Sequence, residues 1–373
     1  MRRCIVAGHI CADLRPGLRG VERIVPGAIA DVGPLEIRPG GSVANTGTDL
    51  AELGADVLLV ADMGDDELGA TVLRALLPAG ADCGGIRQVS GRSTSYSLVF
   101  EWPGTDRSFW HHVGANAWFD GSRVQPDGVD LVHVGYPALL PLMYADGGAR
   151  LQELLARARQ AGATTSLDLS VVTPESPAAQ VDWHLLLERT APLVDLLTPS
   201  VDDVVSALDV PRPHSVAEVR DLGLRLLGMG SAVVLLTDGE RGMHLLTAGQ
   251  DRLAAAGHCL SQSAAVWADR VLYQPASTSG PVFTTGAGDF RGTRPKDGAA
   301  EEAGGSPAGG EAHAQVGPSP PRSPLHSAAP RMPQRQKPTW RSPSRRRNEG
   351  RTCAGGRPHR STRRPPGARS RGD

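Results

Sequence analysis

Val282-Phe283-Thr284-Thr285-Gly286-Ala287-Gly288-Asp289-Phe290 decides how this chain is read. An apolar approach, two threonines, small residues and one carboxylate predict a tight turn that opens a helix. The first amides of a helix have no internal acceptors, so they are free to hold an anion. Gly286 and Gly288 let those amides come close to a phosphate. Asp289 then stands where a carboxylate takes a proton from a hydroxyl. Charge stabilisation beside a base is phosphoryl-transfer equipment. Gly-Ala-Gly-Asp alone is a weak signal, and a plain strand-to-helix turn accounts for it equally well.

The composition changes at this motif. Residues 1–289 hold 21 Arg, no Lys and 34 Asp plus Glu, a net charge of 21 − 34 = −13. Residues 290–373 hold 16 Arg, 2 Lys and 6 Asp plus Glu, or 18 − 6 = +12. That second segment has 13 Pro in 84 residues, and Val316 and Leu325 are its only Ile, Leu or Val. It cannot bury enough apolar surface to offset chain entropy, so it is expected to be disordered. Residues 1–289 are long enough for one large α/β domain.

Cys4, Cys11, Cys83, Cys259 and Cys353 show neither metal-like spacing nor a disulfide pattern, which points to the cytoplasm. Arg2-Arg3 precede a short apolar run broken by Gly8-His9 and Asp13, a poor signal peptide. No run approaches the ~18 apolar residues of a membrane span.

Upstream of the motif, short apolar runs alternate with helical patterns. Cys4–Ala7, Val57–Ala61, Leu131–Val134, Thr165–Leu169, Val194–Leu197 and Ala232–Thr237 read as buried strands. Val43–Leu53, ending at Gly54, reads as a helix with a glycine stop. Glu67–Leu77 and Ala149–Ala161 carry apolar residues at helical spacing. Ser215-Val216-Ala217-Glu218 reads as a capping box. The alternation predicts a mostly parallel sheet covered on both faces, with ligands at the carboxyl ends of its strands. One insertion breaks the pattern. Residues 93–113 read as a hairpin around Pro103-Gly104-Thr105-Asp106, either a cover for a cleft or a dimer edge.

These motifs together resemble the ribokinase-like carbohydrate kinases, the phosphofructokinase-B (PfkB) type. The matching segments run in order over about residues 3–289. They are Val6-Ala7-Gly8-His9 with Asp13, Gly40-Gly41-Ser42-Val43-Ala44-Asn45, Gly54 with Asp62-Met63-Gly64, Thr237-Asp238-Gly239-Glu240-Arg241-Gly242, and Thr284–Asp289. Gly47 departs from the family's usual Ser, Thr or Ala.

The resemblance implies a three-layer αβα fold with a mostly parallel central sheet and a small β lid. It implies ATP and Mg²⁺, and transfer of the γ-phosphoryl group to a sugar hydroxyl. Asp13, Gly41 and Asn45 then hold the sugar, with Arg107 in the lid either meeting substrate or standing solvated. Thr237, Gly239, Gly242 and Ser200 line the nucleotide. Asp203 takes the metal-side carboxylate position, with Ser200 where the family has Asn. Asp289 is the base, and Gly286, Ala287 and Gly288 complete the anion hole. A nucleoside kinase of the same fold, or a non-catalytic sugar- or nucleotide-binding remnant, are the alternatives.

After Asp289 the resemblance stops. Phe290-Arg291-Gly292 begins the family's helix, and Thr293-Arg294-Pro295 breaks it. A reading-frame shift in a GC-rich gene gives such an ending, which leads us to expect a truncated kinase domain of doubtful activity. The other reading is a genuine basic tail. It lacks aromatic interleaving and any folded nucleic-acid motif, so nucleic acid is not the expected partner. The expected partners are a sugar and a nucleotide, with a homodimer through the lid if the hairpin is an edge.

Overall fold

The computed structural model describes residues 2–18, 25–102 and 107–276. All of them belong to one compact unit, Met1–Gly298; the second unit, Ala299–Asp373, lies wholly outside the described residues. The strands are β1 (Arg3–Gly8), β2 (Cys11–Gly17), β3 (Gly33–Gly40), β4 (Asp56–Gly64), β5 (Asp82–Val89), β6 (Tyr96–Phe100), β7 (Ser108–His112), β8 (Leu131–Gly135), β9 (Thr164–Asp168), β10 (Leu196–Leu197), β11 (Val233–Thr237), β12 (Met243–Thr247) and β13 (Val271–Gln274). The longer helices are α1 (Ser42–Glu52), α2 (Glu67–Leu76), α3 (Ala149–Gln160), α4 (Trp183–Thr190), α5 (Val201–Leu208) and α6 (Val216–Gly228).

Nine strands form the main sheet in the order β13-β12-β11-β10-β9-β8-β1-β4-β5. Every pairing from β11 to β5 is parallel, and β12 and β13 add antiparallel to one edge. Its central strands are apolar on both faces, as a covered parallel sheet requires. In β1, Ile5 and Ala7 join the core under α3, while Cys4 and Val6 join the core under α1 and α2. That alternation makes the three layers.

A second sheet, β3-β2-β6-β7, is the lid. The expected hairpin is present as the antiparallel pair β6–β7; the turn expected at 103–106 lies outside the described residues. The lid also contains β2 and β3, which the sequence reading did not resolve as strands. Register places Arg38, Asp13, Ser97 and His111 in one row across this sheet. The next row, Ile37, Leu14, Leu98 and Trp110, points to the opposite face.

Two local expectations need correction. The strand expected over Val194–Leu197 is regular only at Leu196–Leu197, although Asp195 also bonds both neighbours, its amide donating to the Thr165 carbonyl at 3.0 Å and its carbonyl accepting from Val233 at 2.8 Å. Ser215 caps α6 by accepting from the Glu218 amide, but the Glu218 carboxylate accepts from His214 N instead of closing a capping box. Trp267 and Tyr273 are exposed, and Tyr273 Oη donates to the Arg241 carbonyl at 2.7 Å.

Candidate functional site at the carboxyl ends of the strands

From β1 the chain moves one way to β4 and β5, then returns to add β8 through β11 on the other side. The crevice between the ends of β1 and β8 is therefore the switch point where such sheets take ligands. β1 ends at Gly8, where a side chain would meet the Gly135 carbonyl at 2.7 Å. His9 follows, and two residues later β2 carries the chain up into the lid.

The double glycine before α1 has a direct cause. A Cβ on Gly40 would lie 2.5 Å from the Asp13 carboxyl carbon. One on Gly41 would lie 2.6 Å from His9 Nδ1, and Gly41 has φ +85°. Both glycines make room for side chains that face the crevice. Gly41 is also the N-cap residue of α1; no side chain caps this helix and its first turn holds no acid. Such an end favours polar or anionic ligands. Asn45 sits half-buried in that first turn, its amide bonded to the Gly41 carbonyl at 3.0 Å. Ser42 Oγ fixes the turn to the sheet through His133 Nε2 at 2.9 Å, and His133 Nδ1 meets Ser166 Oγ at 2.9 Å.

Asp13 is the charged centre of this end. Burial pushes its carboxyl above the usual range, opposed by the Cys11 thiol and by the charges of Arg15 and Arg107. Cys11 Sγ donates to Asp13 Oδ1 at 3.5 Å. Burial also raises the Cys11 thiol well above its ordinary value, so it stays protonated as a donor. Arg107 thus acts on Asp13 from the lid, with its guanidinium 5.5 Å from the Phe109 ring centre. The structure brings Asp13, Gly41, Asn45 and Arg107 to one end of the crevice.

It adds two residues to that end. His9 is 2 % exposed, with its ring 5.1 Å from His111 and 5.8 Å from Tyr136. His111 Nδ1 pairs with Ser97 Oγ at 3.0 Å. His112 points the other way, to Ser93 Oγ at 2.8 Å, as adjacent strand residues must. The sequence signal for His9 was its place directly after Gly8, and it was read only as part of a matching segment.

The second end is built on β10 and β11. Ser200 and Thr237 form an isolated parallel bridge, and the Thr237 amide bonds the Pro199 carbonyl at 3.1 Å. Ser200 opens α5 in a complete capping box. Its amide and hydroxyl donate to Asp203 Oδ2 at 2.8 and 2.7 Å, and its hydroxyl accepts from the Asp203 amide at 3.2 Å. Burial raises the Asp203 carboxyl despite these bonds.

Past Thr237, buried Asp238 binds Arg241 at 2.6 Å and Arg212 at 3.2 Å. Gly239, φ +51°, opens a short turn, and Gly242, φ +97°, passes so close to the Gln274 carbonyl that a side chain would collide with it. Thr237, Gly239, Gly242 and Ser200 therefore do share one strand end. Three strand spacings separate β10 from β1, roughly 14 Å at ~4.8 Å each. Gly286, Ala287, Gly288 and Asp289 lie outside the described residues. Among the described residues no three His, Cys, Asp or Glu side chains converge as a metal group, and no helix is long and apolar enough to cross a membrane.

The sequence pattern described as "pfkB family carbohydrate kinase" matches residues 1–290. This chain belongs to the pfkB family of carbohydrate kinases. A 2-dehydro-3-deoxygluconokinase of Thermoproteus tenax is 27 % identical over 214 residues, which cover 55 % of this chain and 63 % of that relative. The chain thus spans less than two thirds of that relative's length. A ribokinase of Cryptococcus neoformans var. grubii serotype A, solved with ADP, superposes with a TM-score of 0.56 at 22 % identity, covering 78 % of this chain and 84 % of that one. An Arabidopsis thaliana ribokinase, complexed with ribose and ATP, gives 0.57 at 19 %, covering 78 % and 83 %. The fold is ribokinase-like.

Proposed function

We propose that this member of the family is an ATP-dependent sugar kinase that transfers the γ-phosphoryl group to a sugar hydroxyl. One observation carries the reading: Asp13 is held half-buried at the switch point, beside a double glycine whose Gly40 makes room for its carboxylate and an uncapped helix start. A carboxylate and an amide at fixed angles suit a polyol. In this reading Asp13, the Gly41 backbone and Asn45 hold sugar hydroxyls, and Arg107 closes from the lid. ATP lies towards Ser200, Thr237, Gly239 and Gly242. Asp289 takes the proton of the attacking hydroxyl, the new O–P bond replaces the bond to ADP, and the amides of Gly286, Ala287 and Gly288 hold the developing charge.

Magnesium ions are commonly held by one or two protein carboxylates plus substrate phosphates. Asp203 fits that part, with Oδ2 taken up by Ser200 and one oxygen left over. Bound there with the nucleotide, Mg²⁺ would neutralise phosphate charge.

The relative named for 2-dehydro-3-deoxygluconate narrows the substrate towards sugar acids. Arg107, whose charge reaches Asp13, supplies the cation such a substrate needs. A nucleoside fits less well, because the row facing the cleft is Arg38, Asp13, Ser97 and His111 rather than apolar.

We also propose that residues 1–289 are the kinase domain and 290–373 a separate basic segment, since the family match ends at 290. The exposed Val266, Val271, Leu272 and Tyr273 near and on the β13 edge leave an apolar surface there that suits further packing. That keeps the non-catalytic sugar- or nucleotide-binding reading in play. A homodimer through the lid is proposed from exposed Leu35, Ile37 and Trp110; sedimentation of wild type against Trp110→Glu tests it.

The functional test is ADP release and sugar-phosphate formation with ATP, Mg²⁺ and a panel of sugars, sugar acids and nucleosides. A phosphorylated sugar or sugar acid supports the proposal. Sugar binding without turnover supports the non-catalytic reading, and turnover of nucleosides alone rejects the sugar assignment.

A further inference from the structure

We propose that His9 and His111 form a second part of the sugar site, in which their imidazole nitrogens hydrogen-bond a pair of sugar hydroxyls. This deepens the sugar-kinase reading and rests on it.

His9 is fixed in place by its backbone. Its amide donates to the Gly135 carbonyl at 3.3 Å and its carbonyl accepts from Val43 at 3.0 Å. The ring therefore stays at the mouth of β1, beside Gly41 and under the lid strand that carries His111. Both His9 nitrogens and His111 Nε2 are buried without a hydrogen-bond partner. Buried polar atoms are almost always paired, and each exception calls for a reason. His133 shows that this chain can satisfy a buried imidazole completely: Ser42 and Ser166 take its two nitrogens at 2.9 Å each. His244 leaves one nitrogen unmatched; His9 leaves both.

The three open nitrogens meet at the seam between lid and core, on the Asp13 face of the lid sheet. Burial holds both rings neutral, His111 with a pKa of about 4 and His9 well below its ordinary value, each ring further discouraged from charging by a neighbouring imidazole. A neutral imidazole offers one donor and one acceptor, as each sugar hydroxyl does. A cationic pair would instead select a carboxylate or phosphate. The histidine end thus suits the hydroxyl-bearing part of a substrate, leaving Arg107 for an acidic group. His9 nitrogens are shut from solvent by their surroundings, so the ligand gains them by displacing the His111 ring. That ring rides on β7, which has a single neighbour, β6, in the lid sheet.

The test uses the full chain, titrated calorimetrically with the sugar and sugar-acid panel. It compares wild type with His9→Leu, His111→Leu and the matching Gln variants. The Leu variants are expected to bind the best ligand at least tenfold more weakly, while melting at or above the wild-type temperature because an unmatched polar group has gone. The Gln variants, which keep a donor and an acceptor, should recover part of the affinity. Unchanged ligand affinity in folded Leu variants overturns the inference and leaves the sugar-kinase reading standing, with water as the natural partner. A wild-type chain that binds no member of the panel sinks both. Should the Leu variants not fold, ¹⁵N-imidazole spectra of wild type decide. Saturation with the bound ligand must shift His9 and His111 and leave His133 in place; unmoved His9 and His111 signals overturn the inference.

Discussion

The two ends of this crevice are made by different means. At the Asp13 end, side chains from distant segments converge, and glycines exist because those side chains occupy the space a Cβ would need. Polar groups there are left to one another or to a ligand: the His9 nitrogens have no partner among the described residues. At the Ser200–Thr237 end, the polar groups are consumed locally. Ser200 and Asp203 cap α5, and Asp238 is neutralised by Arg212 and Arg241. Substitutions at the first end should therefore change ligand binding, and substitutions at the second should mostly change stability.

The largest expected effect lies at neither described end. Asp289→Asn, in a version of the chain with measurable turnover, should lower kcat by on the order of 10²–10⁴ and leave sugar affinity nearly intact. Normal turnover would remove Asp289 from the chemistry.

His133 sharpens the contrast through pH. Burial lowers its pKa from 6.5 to about 4, so the fold prefers the neutral ring. The unfolded chain takes up its proton first on acidification. The stability this group contributes is complete above pH 6.5 and is lost between pH 6.5 and about 4. The loss is on the order of 3 kcal/mol. Asp13 and Asp203, whose carboxyls are raised by burial, act in the opposite sense. The difference between wild type and His133→Gln in urea melts at pH 7 and pH 4.5 isolates the histidine; a difference that does not change with pH contradicts the assignment.

Asp13→Ala should weaken sugar binding by about 1.5–3 kcal/mol, because hydroxyls lose a charged acceptor, without changing ATP affinity. Loss of ATP affinity alone would reverse the two ends. At the other end, Ser200→Ala should cost about 1 kcal/mol of stability through the lost cap. A large drop in sugar affinity instead would break the contrast.

Much of the frame was readable because it is periodic. The βα alternation, the ends of α1, α2 and α3, and the β6–β7 hairpin carry regular apolar spacing. β2 and β3 were missed because Pro16, Gly17, Pro34 and Pro39 interrupt them and their exposed residues do not alternate. Asp13, Gly41 and Asn45 were legible as a motif, and the structure supplies the reason for the glycines. The meeting of His9 with His111 was not legible, since it depends on the lid folding over β1. The Ser200–Asp203 capping box has the same Ser-x-x-acid spacing as Ser215–Glu218 and was passed over; it takes up one oxygen of the carboxylate expected on the metal side.

The most direct measurement is a crystal structure of the chain with its best-binding sugar and a non-hydrolysable ATP analogue. The account predicts sugar hydroxyls within hydrogen-bonding distance of Asp13, Asn45 and the Gly41 backbone, with the phosphates towards Ser200, Thr237 and Gly239. A sugar bound at the ends of β10 and β11, with Asp13 facing nucleotide or water, would contradict it.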